Sequence, residues 1–189
     1  MAEQKDLEAL ATSLMSAAEE ILSKMNNMIA TEAPQSKIID IVEYNGRMRA
    51  NGMDKFNAPS FVSVINYYLN QGDMDKHKAK GALVLYVASE NASKLYKALG
   101  SPVSEDEDDS SMMGANAKFC NLLAQNFKNE LTKINYADLV MSTPHNYKNL
   151  VMHGVEYSKD QKTKIELSFF YWKQKTIVIE LTLASIPRK

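Results

Sequence analysis

Lys118, Asn121 and Gln125, continued by Lys128, step by three and four residues. On a helix they share one face, so ammonium and carboxamide groups stand in line there. The same segment, Met112–Leu131, carries Phe119, Leu122, Leu123, Phe127 and Leu131, with Ile134 just beyond, at the spacing of a buried apolar stripe. Asn121 is followed by twenty-two residues and then Pro144, within Met141-Ser142-Thr143-Pro144. Other chemistries lack their residues. The histidines His77, His145 and His153 have no His-Glu-x-x-His spacing, and no glycine-rich phosphate loop is present. His145, beside Pro144, reads as a solvated loop residue, and nothing selects a Ser or Cys nucleophile with His and Asp partners. The acidic run Glu105–Asp109 lacks the turn glycines of a calcium loop. It reads as a solvated loop whose last acids meet the positive end of the helix that follows. No metal site is expected.

This helix and proline resemble the signature of the CheC/CheX phosphatases of bacterial chemotaxis. That signature is an Asp or Ser, three residues, Glu, two residues, Asn, twenty-two residues and Pro; here Asn121 and Pro144 match, while Lys118 stands for the Glu and Gly114 for the Asp or Ser. The resemblance implies a catalyst that removes phosphate from an aspartyl phosphate on a CheY-like receiver domain. Asn121 would orient the attacking water, and the acid one turn earlier would engage a lysine of the receiver. Gln125 and Pro144 would flank the contact. The receiver supplies its own divalent cation, so no cofactor is implied and the phosphatase acts by positioning and electrostatics. Lys118 breaks that division of labour, because it sets like charges together during docking. Glu20 and Asp109 are candidate substitute acids. The expectation is recognition of a phosphorylated receiver with phosphatase activity weak or lost. A non-catalytic scaffold or adaptor of a chemotaxis or motility system is the alternative. A small-molecule binding domain is a third class, for which no motif speaks.

The elements that must hold this face can be read outward from it. Leu7, Leu10, Leu14, Ala18, Ile21, Leu22, Met25, Met28 and Ile29 recur at helical spacing, giving a first long helix that ends between Thr31 and Pro34. Ile38–Val42 is a strand or a short helix, Asn45-Gly46 and Asn51-Gly52 signal turns, and 37–59 is an irregular segment. Phe61–Leu69 and Ala82–Val87 read as strands around a turn at Gln71–Asp73. Ser89 reads as the N-cap of a short helix closing at Gly100. Leu139–Met141 and Val151–Tyr157 are further apolar segments after the long helix. Lys164–Trp172 and Thr176–Leu183 form a hairpin about Lys173–Lys175. Helices and strands come in blocks, which favours an α+β class. Like the CheC/CheX fold, it would set two long helices side by side on an antiparallel sheet. Lys24–Ala30 weakly echoes Lys118–Ala124, consistent with that fold's internal two-fold symmetry, but Ala50 stands where a second proline would.

A chain of 189 residues, 45% apolar and 24% charged, suits one globular domain spanning 1–189. A net charge of -1 gives no field for nucleic acid. The single cysteine, Cys120, excludes an internal disulfide and reads as a semi-buried structural thiol. The charged N-terminus is not a signal peptide, and no apolar run reaches membrane-spanning length, so a cytoplasmic protein with no membrane contact is expected. Phe169–Trp172 places apolar rings on both faces of one strand, which with the family resemblance suggests a homodimer.

Overall fold

The computed structural model describes residues 2–26 and 28–189, with side chains from Lys5 onward. The elements are α1 (Ala2–Leu22), β1 (Ala30–Asp40), β2 (Glu43–Tyr44), β3 (Arg47–Met48), α2 (Gly52–Phe56), β4 (Ser60–Tyr68), α3 (Gln71–Asp75), β5 (Gly81–Ala88), α4 (Ser89–Ala98), α5 (Asp109–Lys133), β6 (Val140–Met141), β7 (His145–Lys148), β8 (Thr163–Tyr171) and β9 (Gln174–Leu183). One antiparallel sheet has the order β1-β8-β9-β5-β4-β6, with β7 also pairing β4. The two long helices, α1 and α5, pack side by side on one face of it. The class is α+β, as the block order of the sequence implies.

Strand alternation divides the core in two. Phe61, Ile65, Leu83, Leu85, Ile165, Leu167, Ile177 and Ile179 face the helices. Val62, Val64, Ala82, Val84, Tyr86 and Val178 face the other way, where Met48, Ala50, Val151 and Val155 cover them. The irregular stretch 37–59 is therefore the end of β1 followed by a lid on the second face. Asn45 and Gly46, both at positive φ, turn the β2–β3 hairpin. Asn51 does not turn the chain; its side chain accepts from the Met53 N–H and caps α2.

Several expectations need correction. α1 stops at Leu22, because the Asn26 N–H turns to the Ala98 carbonyl, and Ile29 is almost fully exposed. The segment expected as its last turns is instead the edge strand β1, with Pro34 between register shifts, where a missing N–H costs no ladder bond. The helical echo at Lys24–Ala30 consequently falls past the end of α1, and Asn27 lies outside the described residues. Gln71–Asp73 opens the short helix α3. Ala88, not Ser89, is the N-cap of α4. The apolar segment Val151–Tyr157 belongs to the lid, bridging Met48 through Val155. Leu139–Met141 holds the short strand β6, and a second strand, β7, follows directly behind Pro144. The β8–β9 turn is Trp172-Lys173, both at positive φ. Phe169 and Tyr171 are buried under the chain's own helices, so these rings require no second protomer.

A polar chain crosses the dry layer under α5. The Tyr96 hydroxyl donates to Asn116 Oδ1 (3.0 Å), Asn116 Nδ2 donates to Ser63 Oγ (2.8 Å), and Ser63 Oγ donates to Asn146 Oδ1 (2.8 Å). These bonds tie α4, α5, β4 and β7 together. Higher up α5, Tyr67 OH donates to the Ala124 carbonyl (3.1 Å). Asn116→Ala leaves both Tyr96 and Ser63 with unmet partners. It should cost about 2–4 kcal/mol in urea denaturation, against about 1 kcal/mol for Tyr96→Phe, which removes the donor itself.

On the opposite face a carboxylate, Glu180, is fully buried. It is held by Lys55 (2.5 Å), Lys164 (2.7 Å) and the Tyr86 hydroxyl (2.6 Å), and Lys55 also reaches Glu166 (2.6 Å). Burial pushes the Glu180 carboxyl up, but the charges and hydrogen bonds of Lys164 and Lys55 outweigh it and hold the group below its ordinary 4.5. Burial pulls Lys55 down, and the opposing attraction of Glu180 and Glu166 leaves it above its ordinary 10.5. A lowered acid lends stability above its unfolded value and loses it as pH falls through the folded one; a raised base lends it below its unfolded value and loses it as pH rises. The cluster therefore supports the fold between those limits. Glu180→Gln should cost about 3–5 kcal/mol at neutral pH, because it leaves the buried Lys164 facing no charge and Lys55 with Glu166 alone. Its stability-versus-pH curve should decline less steeply on the acid side than that of the parent.

Candidate functional site

The sequence of α5 sets which residues face out. Asp108 caps it, accepting from the Ser111 N–H, and those hydrogen bonds hold the Asp108 carboxyl below the usual range. The acidic loop thus meets the helix terminus as expected. Phe119, Leu123, Phe127 and Leu131 are buried, while Leu122 from the expected stripe is half exposed beside α1. Cys120 is fully buried rather than half-buried, donating to the Ser63 carbonyl at 3.7 Å. Burial pushes its thiol far up, so it is an inert packing group.

Lys118, Asn121 and Gln125 are exposed in one row on α5. Among the described residues, the Lys118 and Asn121 side chains enter no hydrogen bond or ion pair; Gln125 donates to Asn129 at 3.4 Å. Lys128, the fourth of the row, is half-buried and paired with Asp138 at 3.1 Å. Gly114 is also exposed, and a β-carbon there would meet open space. The row is thus open to solvent on a rigidly seated helix.

Pro144 is half-buried between β6 and β7. Its approach is pinned to β4: the Ser142 N–H donates to the Asn66 carbonyl and the Asn66 N–H to Ser142 Oγ, both 2.9 Å. Beyond it, His145 pairs Val64 and Asn146 pairs Ser63. Ser63 therefore touches both halves of the motif, through Asn116 and Cys120 on the helix and Asn146 two residues after the proline. Lys148 closes the same arrangement, reaching Asp109 at 2.5 Å.

Neither substitute acid joins the row. Asp109 is committed to Lys148 and lies twelve helical residues from Asn121, about 18 Å along the axis. Glu20 sits on α1 beside Lys24, lining a cleft with Leu122 and Asn126. The face offers two carboxamides and one ammonium. It can orient a water and contact an anion. Among the described residues no group of three or more His, Cys, Asp or Glu side chains is placed to hold a metal ion.

Sequence reasoning missed Asn116, Ser63, Tyr96 and Asn146. A signal was present for the first. Asn116 stands in register with Cys120, Leu123 and Phe127, so a polar group on the buried stripe had to find partners.

No protein-family model and no curated protein matches the chain by sequence. Solved structures do match its fold. A chemotaxis protein CheX from Desulfovibrio desulfuricans is 14% identical with a TM-score of 0.59, covering 92% of this chain and 98% of that one. A CheC-like superfamily protein from Shewanella is 17% identical with a TM-score of 0.59, covering 92% and 96%. CheX from Borrelia burgdorferi, in a CheX-CheY complex with BeF3 and magnesium, is 11% identical with a TM-score of 0.51, covering 94% and 97%. Over nearly its whole length, this chain has the fold shared by CheX- and CheC-like proteins.

Proposed function

We propose that the exposed row on α5 recognises a phosphorylated, CheY-like receiver domain, with phosphatase activity weak or lost. The observation that carries this reading is the unpartnered Asn121 and Lys118 pair, on a helix clamped through Ser63 to the strand behind Pro144. The CheX-CheY complex of the Borrelia protein supports the partner class. Asn121 would present its carboxamide to the attacking water. The Lys118 ammonium, one turn earlier, would face the receiver's lysine, where the signature has an acid. Binding there must come from the rest of the face, and the transition-state contact is missing. A receiver partner places the protein in the cytoplasm, in chemotaxis or a related signalling system.

The wild type should accelerate receiver dephosphorylation little. Lys118→Glu should raise the rate about tenfold or more, within the range of a single preorganised electrostatic contact. Adding Asn121→Ala should return it to baseline, while Asn121→Ala alone should leave receiver binding intact. Phosphate release from acetyl-phosphate-charged receivers, together with a binding titration against the BeF3 form, reads both. A wild type that is already fast, and slowed by Lys118→Glu, would make the lysine itself catalytic. If no variant touches any receiver, the adaptor reading takes its place, favoured by the same lysine.

The homodimer, expected from the resemblance and from Phe169–Trp172, would on our reading form along β1 instead. Among the described residues this eleven-residue strand pairs only with β8, and no strand lies along its other edge, where a second copy could pair. Pro34 and the register shifts guard its first half, so pairing would run along Ser36–Asp40. Light scattering should give a dimer, and Ile38→Pro should return a monomer; a wild-type monomer at high concentration removes the proposal.

A further inference from the structure

The chain contains two Asn-Gly pairs, Asn45-Gly46 and Asn51-Gly52. An asparagine followed by glycine holds both parts of a self-reaction. The glycine nitrogen can attack the asparagine Cγ, and with no β-carbon beside it that nitrogen is open to approach. The fold treats the two pairs in opposite ways. Asn51 spends its side-chain oxygen on the Met53 N–H (3.1 Å), and the buried Gly52 donates its N–H to the Asn149 carbonyl (2.6 Å). The backbone around them is tied as well, with Asn51 bridging Leu150 and the Ala50 carbonyl accepting from the Val151 N–H. Nucleophile and electrophile are each committed elsewhere.

Asn45 and Gly46 are both exposed at the tip of the β2–β3 hairpin, at φ 51° and 75°. Among the described residues neither the Asn45 side chain nor the Gly46 N–H enters a hydrogen bond. Ring closure needs the turn to relax, and little resists that. The two strands are two residues each, joined through the Glu43–Met48 and Tyr44–Arg47 pairs. Their latch is Lys159, which donates to Glu43 (2.8 Å) and to the Gly46 carbonyl, while Tyr157 also donates to Glu43. Lys159 and Glu43 are both half exposed, where an ion pair contributes little. A short, solvated ladder of this kind opens locally at low cost.

We propose that Asn45-Gly46 is a site of spontaneous deamidation that opens the β2–β3 hairpin, and that the fold protects Asn51-Gly52 from the same reaction. The Gly46 nitrogen gives its proton to solvent base and bonds to Asn45 Cγ. The Cγ–Nδ2 bond breaks, and Nδ2 leaves as ammonia with a proton returned by water. Water then opens the succinimide ring at either carbonyl. Entry at the side-chain carbonyl gives aspartate; entry at the former backbone carbonyl gives isoaspartate, whose main chain includes the methylene carbon. The length of a two-residue turn sets the register of its hairpin, so the longer link breaks the Tyr44–Arg47 pair. Met48 keeps its bonds to Val155 (2.9 and 2.7 Å), and the lid beneath stays seated. The site is independent of the α5 face, so this reaction and receiver binding stand or fall separately.

The test incubates the full chain at mildly alkaline pH, folded and in urea, and maps its peptides by mass, with isoaspartyl methyltransferase labelling the isoaspartate. In the folded chain Asn45 should convert at least about tenfold faster than Asn51, the margin that committed hydrogen bonds give. In urea the two rates should agree to within about twofold, because that protection is gone. In the isoaspartyl chain, amide exchange over 43–47 should quicken at least about tenfold, with 118–125 unchanged. Asn45→Gly keeps a residue suited to positive φ and should leave the tip unmodified. Asn45→Asp adds the charge without lengthening the main chain, and should retain the hairpin exchange of the parent. No conversion of Asn45 in the folded chain, equal folded rates at Asn45 and Asn51, an asymmetry that persists in urea, or unchanged 43–47 exchange in the isoaspartyl chain would overturn the proposal.

Discussion

A hydroxyl in the middle of a dry layer governs how this molecule presents itself. Ser63 lies fully buried on β4, beneath α5. A serine there must be satisfied or the layer is destabilised. Its partners are Asn116 from above and Asn146 from the neighbouring strand. A buried hydrogen-bond chain has direction and length, so it admits one rotation and one height of α5, whereas apolar packing alone tolerates slippage. Once Asn116 is locked inward, Lys118, Asn121 and Gln125 are obliged to point out. The exposed row is therefore a consequence of the buried chain.

The second sheet face follows a different logic. The helices can cover only one side of an antiparallel sheet whose strands are apolar on both. The segment 41–57 and the loop around Val151–Tyr157 supply the missing layer, and they are too short and irregular to do so with regular elements alone. Where their apolar cover ends, toward β8 and β1, the sheet carries Lys164, Glu166 and Glu180 instead. The lid meets them with Lys55 from α2. A buried charge cluster adds little net stability over an apolar one, but it penalises any other seating of the lid, because each displaced partner leaves a charge unpaired.

Legibility tracked burial. β4, β5, β8 and β9 are largely buried on both faces, and their wealth of β-branched and aromatic residues was plain in the sequence. α5 was plain for its 3.6-residue period, and the open row followed directly from it. The first half of β1 was missed because an edge strand exposed on both faces has no pattern and its Pro34 mimics a helix stop, while Ile38–Val42 allowed strand or short helix and its first residues close β1. β7 was missed because His145–Lys148 is polar throughout and becomes a strand only by pairing β4. The lid was illegible for a related reason. Its residues Met48, Ala50, Val151 and Val155 are apart in sequence and make a layer only after the sheet exists. At the site, the outward residues could be read from spacing, while the inward ones that hold them depend on contacts across 53 and 83 residues.

The departures from the signature sit where geometry does not depend on them. Gly114 and Lys118 both face open solvent, and neither enters the chain through Asn116, Ser63 and Asn146. Replacing an acid by a lysine there changes the charge of the face without disturbing the seating of Asn121. Packing therefore places no constraint on the residue at 118. The reverse holds for Asn116, whose loss would move the helix itself. A fold of this kind can keep its presenting surface while its chemistry changes, because the residues that aim the helix and the residues that act from it are separate sets.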